Sequence, residues 1–199
     1  MKELNEAREK AMGILNGTED WIEWIHEGSA PAVTQELKDS YGKTPDVKHC
    51  AQCKNLNGCR FLSRKMPELP LHPNCHCETE KADTPIPGIT AFAECPIEKI
   101  KNWAFVDLAK KGFFESNGYG IMDAEEMQMR YEKQAAVKYA DGDYDLGVLN
   151  NFGQRITIRI ELPRRVGDNT KPLNFKTGWM VFPYGKIVLT TPATNLSSK

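Results

Sequence analysis

The chain has no apolar run approaching the roughly 18 residues that a membrane-crossing helix needs. Its opening stretch, Met1 to Gly17, is charged and lacks the apolar centre of a signal peptide. Neither charge dominates: the formal net charge is -1 over 199 residues. No global field therefore draws the chain to nucleic acid or anionic lipid. There is no H-E-x-x-H and no H-x-E partnered with P-C-x-x-C, so catalytic zinc has no familiar carrier. There is also no P-loop and no G-x-G-x-x-G. No histidine lies beyond His76, so neither a Ser-His-Asp nor a Cys-His set can be built in the C-terminal part alone. No internal repeat and no low-complexity tract is present.

What is present is globular composition, 40% hydrophobic and 27% charged. The length suits one medium domain or two small ones. The first 95 residues are net acidic and the rest net basic, a polarity compatible with RNA contact at the C-terminal end. The expectation is a soluble, cytoplasmic or virion-associated protein. In a reducing compartment six cysteines are better explained by thiols and metal than by disulfides.

Five of those cysteines and three of the four histidines fall between His49 and Cys77. Cys50 and Cys53 form C-x-x-C, which lets two thiolates reach one tetrahedral ion from a tight knuckle. The second pair comes from Leu71 to Cys77. Cys75 and Cys77 are the simplest choice, His72 is their main competitor, and His76 and His49 are further options. Cys59 is either a ligand or a buried thiol. Pro70 and Pro73 pre-set the second segment. The C-x-x-C does not follow a convincing strand and open a helix, which argues against thioredoxin-like chemistry. The reading is structural zinc held by four of these ligands, folding a segment poor in core residues.

The expected fold is α+β. Residues 1–95 hold N-terminal helices and the small zinc-binding module; residues 96–199 hold two helices packed on an antiparallel sheet of three to four strands. Leu4, Ala7, Ala11 and Leu15 space a first helix. Thr18 caps a second short one, with Trp21, Trp24 and Ile25 on one face. Thr84 to Gly88 is a stiff linker, and the boundary lies near residue 95. A helix starts after Pro96, carries Ile97, Ile100, Ala104, Val106 and Leu108, and ends at Gly112. Asp123 caps the next, whose buried stripe is Ala124, Met127, Tyr131, Ala135 and Tyr139. Strands follow at Gln154–Leu162, Leu173–Phe182 (interrupted around Gly178) and Ile187–Thr191, with a turn at Pro183 to Lys186.

Along the first of these strands Ile156, Ile158, Ile160 and Leu162 share one face, and Arg155, Thr157, Arg159 and Glu161 the other. Arg155, Thr157, Arg159 and Thr190 are the candidate catalytic residues, with Thr177, Thr191 and Lys101 as neighbours. Guanidinium and hydroxyl groups together hold a phosphate and stabilise charge developing on it. The same alternation is also the ordinary solvent face of an amphipathic strand.

The C-x-x-C at Cys50 and Cys53, followed by Pro70-Leu71-His72-Pro73-Asn74-Cys75-His76-Cys77, resembles the tail of phage minor head (Mu F-like head morphogenesis) proteins. That family often ends in H-P-x-C-x-C, and its larger helical head domain has no counterpart here. The stretch from Ala104 to Thr194 resembles a small uncharacterised family at the ends of phage-like and polymorphic toxin proteins. The matching residues are Lys111 to Phe114, Gly153 to Leu162, Thr177 to Val181 and Thr190 to Ala193. Helices followed by sheet are similar to the barnase-like and RelE-like ribonuclease toxins. The resemblances imply a phage-derived or prophage-encoded structural or interaction protein, whose partners are phage head or portal proteins or a second copy, with no membrane contact. The alternative they imply is a C-terminal ribonuclease toxin acting on RNA phosphodiesters, and whether the chain is an enzyme stays open.

Overall fold

A computed structural model describes residues 20–26, 51–72, 75, 77–167 and 171–194. The expected helix over residues 2–16 and the ligand candidates His49, Cys50 and His76 lie outside the described residues. The described chain forms eight strands in two sheets, with the helices set mainly against the larger one. This is a mixed α+β protein, as the sequence pattern suggests.

The smaller sheet has the order β2-β1-β3, with β1 at Trp21–His26, β2 at Arg60–Leu62 and β3 at Cys77–Ala82, all antiparallel. Trp21, Trp24 and Ile25 thus lie on a strand, which corrects the helix expected there. In a strand, residues three apart point to opposite faces. Trp21 and Trp24 are both buried because β1 is the central strand and is covered on both sides. Trp21 packs edge-on against Tyr139, ring centroids 5.4 Å apart. Trp24 faces the cysteines. Two-sided burial imitates helical spacing. Between β1 and β2 in sequence sits helix α1 (Ala51–Leu56), which buries Cys53 and Leu56.

The larger sheet has the order β4-β8-β7-β6-β5. Its strands are β4 Phe92–Glu94, β5 Asp145–Asn150, β6 Gly153–Leu162, β7 Leu173–Val181 and β8 Lys186–Thr194. The sheet has five strands rather than three or four, and it is not wholly antiparallel: β4 pairs parallel to β8. Both added strands are short edge strands whose side chains are largely exposed, so neither shows an apolar alternation.

The segment after Pro96 is a short turn, Ile97–Lys99, running into a π-helical stretch, Ile100–Ala104. Ile100 and Ala104 are buried, but Val106 and Leu108 are exposed and do not extend that stripe. Helix α2 is Leu108–Ser116 and passes through Gly112 instead of stopping there. Its N-cap is Asp107, whose carboxylate accepts from the Lys110 N–H at 3.1 Å. Helix α3, Ala124–Ala140, buries Ala124, Met127, Tyr131, Ala135 and Tyr139, the expected stripe.

The stripe meets the isoleucine face of β6 and the Phe175 and Trp179 side of β7. Trp179 is fully buried beside a register shift at Gly178, where the strand irregularity was expected. One continuous core joins Trp21 and Phe61 of the first sheet and Leu56 of α1 to Tyr139, Tyr144 and Val181 around the second. The junction is also hydrogen-bonded. Tyr139 donates to the Arg60 carbonyl at 2.6 Å, and the Tyr184 N–H donates to the Gly58 carbonyl at 3.0 Å. Gly58 has φ +76, and a Cβ there would stand 3.1 Å from Pro183. That position needs glycine both for its backbone and for the close approach.

Candidate metal centre

Three elements deliver the ligand atoms. Helix α1 places Cys53, the loop after the 3-10 turn Ser63–Lys65 places His72 and Cys75, and strand β3 begins at Cys77. The Cys75 N–H donates to the His72 carbonyl at 3.1 Å, closing a tight turn that brings both side chains to one side. His26 ends β1, and in the antiparallel register it stands opposite Cys77.

The side chains converge in two overlapping triads, Cys53–His72–Cys75 and His26–Cys53–Cys77, each with ligand atoms within 4.8 Å of one another. Cys53 Sγ lies 3.1 Å from His72 Nε2 and 3.9 Å from Cys75 Sγ, and Cys77 Sγ lies 3.5 Å from His26 Nδ1. Ligand atoms around a tetrahedral zinc ion, with bonds of about 2.0–2.3 Å, stand roughly 3.3–3.8 Å apart. The three measured distances bracket that range, and shifts of a few tenths of an ångström would seat a metal of that size.

The electrostatics favour a thiolate at Cys75. Burial pushes the Cys75 thiol up, but backbone hydrogen bonds at Cys77 and Leu71 and side-chain ones with Cys77 and Cys53 outweigh it and bring the group down to about 7. Burial raises the Cys77 thiol against the opposing pull of the Trp24 and Cys53 side chains. The buried indole Nε1 of Trp24 completes no hydrogen bond among the described residues, yet it favours the Cys77 thiolate. A donor in that position suits a thiolate fixed by a metal. No disulfide links the described cysteines.

No family model, curated protein or solved structure matches this chain. Among the sequence candidates, Cys53, His72, Cys75 and Cys77 are brought to one place. Cys59 is not. It is fully buried, donates to the carbonyls of Asn55 at 3.4 Å and Val181 at 3.8 Å, and is pushed up to about 12 by burial and then by Glu23. It is a core thiol. His26 is the residue that sequence reasoning missed. It stands far from the cluster in sequence, and only the pairing of β1 with β3 brings it to Cys77.

The second candidate set is divided. Arg155 Nη2 donates to Thr190 Oγ1 at 3.4 Å and Thr191 Oγ1 at 3.2 Å. Thr157 and Arg159 follow on the same face of β6, Thr157 half-buried and Arg159 exposed. Thr177 belongs to the opposite, buried face, where its hydroxyl donates to the Ile158 carbonyl and accepts from Trp179 Nε1. Lys101 lies in the π-helical stretch, not on the strand face.

Proposed function

We propose that this chain is a structural or interaction protein stapled by one zinc ion. The carrying observation is the convergence of three thiols and two imidazoles from α1, the His72–Cys75 turn and the facing ends of β1 and β3. Soft sulfur and imidazole donors in a four-coordinate setting favour zinc among common divalent ions. The ion ties α1 and the His72–Cys75 turn to the facing ends of β1 and β3, so it supplies folding energy where the local core is small. Cys53 belongs to both triads and is the indispensable ligand; Cys50, in C-x-x-C with it, is the natural addition. On the strength of the His72-Pro73-x-Cys75-x-Cys77 motif, the proposal extends to a phage-derived protein that contacts head or portal proteins or a second copy of itself. Ribonuclease chemistry is not included: no carboxylate or imidazole among the described residues bonds to Arg155 or Thr190.

Elemental analysis of the untagged protein tests the reading. About one zinc per chain is expected, with near-complete loss in Cys53→Ser. Comparing His72→Ala with His26→Ala then identifies the triad that holds the ion. Absence of metal from the wild type, or unchanged content in Cys53→Ser, overturns the proposal.

A further inference from the structure

Arg155 is half-buried on the face of the larger sheet that points away from α3. A guanidinium withdrawn from water normally finds a carboxylate. Neither Arg155 nor Arg159 has one among the described residues, although Lys176 on the same face reaches Asp145 at 3.4 Å. The partners Arg155 does have are neutral. Thr190 and Thr191 each accept from a single nitrogen, Nη2, which leaves Nε and Nη1 without described partners. Each hydroxyl that accepts a bond still carries a proton to donate, and neither donates to a described acceptor.

The three side chains close in over Gly178. Gly178 sits at the register shift between β7 and β8. A Cβ at that position would stand 3.1 Å from Arg155 Nη2, 3.2 Å from Thr190 Oγ1 and 3.3 Å from the Thr191 Cβ. The absent side chain lets one guanidinium and two hydroxyls cluster against the strand, all with unspent donors. Donors of that kind, converging without a counter-charge, match an oxyanion.

We propose that Arg155, Thr190 and Thr191, gathered over Gly178, form a donor cluster whose outward side binds a phosphate group. A tetrahedral phosphate offers oxygens to the guanidinium and to both hydroxyls at once, which a planar carboxylate does less well. Arg159 follows four residues along the same face, about 13 Å away at the rise of a strand. It is positioned for a further phosphate if the ligand is a polynucleotide. This inference does not depend on the metal centre.

The test is an amide NMR titration of the full chain as purified, with inorganic phosphate and separately with a short single-stranded RNA. Phosphate should shift the amides of Arg155, Gly178, Thr190 and Thr191 saturably. Arg155→Ala should weaken binding at least about tenfold, in line with the loss of a charge-assisted contact. Should that variant fold poorly, Gly178→Ala and Thr190→Val serve the same purpose, since they push the guanidinium aside or remove a donor without changing charge. Each should weaken phosphate binding severalfold. RNA that binds more tightly than phosphate and needs both Arg155 and Arg159 identifies a polynucleotide. Phosphate binding at these amides without RNA binding supports the donor cluster with a small phosphate ligand. Absence of phosphate shifts, shifts elsewhere on the surface, or binding unchanged in Gly178→Ala and Thr190→Val overturns the proposal.

Discussion

Burial pushes the thiols of Cys59 and Cys95 up to about 12, helped by Glu23 in one case and Glu132 in the other. Local hydrogen bonds instead bring Cys75 down to about 7. Thiolate, not thiol, is the nucleophile and the metal ligand. In metal-free protein near pH 7.5, iodoacetamide with mass-spectrometric readout should therefore modify Cys75 well before Cys59 or Cys95. Metal loading should suppress the Cys75 reaction. Early modification of Cys59 would contradict its place in the core. The pH dependence has a definite sign. A depressed thiol contributes stability that is complete above its ordinary value of 9.0 and fades as pH falls through about 7. Acid also protonates metal-bound thiolates, so lowering the pH should weaken the metal-free fold at Cys75 and release metal from the loaded one.

Helix α3 and strand β6 could be read from the chain because each buries one face and exposes the other, so its period survives in the sequence. Strand β1 could not, because burial on both faces puts tryptophans three apart. Strands β4 and β5 left no pattern, because exposed edges need none. The cysteines of the metal cluster were visible through local spacing. His26 depends on a strand pairing that no local window contains. Such long-range junctions carry testable energy. Tyr139 reaches from α3 to the Arg60 carbonyl at 2.6 Å while its ring packs on Trp21 and Tyr144. Tyr139→Phe keeps the ring and removes the hydroxyl, leaving that carbonyl without its donor. A loss of about 1–2 kcal/mol in denaturant unfolding is expected. A neutral result would mean that water replaces the hydroxyl at the junction.

Across the whole molecule, two kinds of support meet in one core. Around the larger sheet, Phe114, Tyr131, Ile158, Ile160, Phe175 and Trp179 are buried without reference to any ligand. The smaller sheet buries Trp24, Leu56 and Phe61, and His26, Cys53, His72, Cys75 and Cys77 meet at one end of it. Chelation should therefore act unevenly. Hydrogen exchange is expected to accelerate over α1, the His72–Cys75 turn and the Cys77 end of β3, while β6, β7 and α3 keep their protection. The melting temperature should also fall, because Trp21 and Tyr139 couple the two sheets through direct ring contact. If chelation instead removes protection from β6 and β7 as well, the metal supports the entire core, and residues 96–199 cannot fold without the segment before them. If exchange does not change, the cysteine and histidine side chains meet without holding an ion, and packing alone closes the smaller sheet.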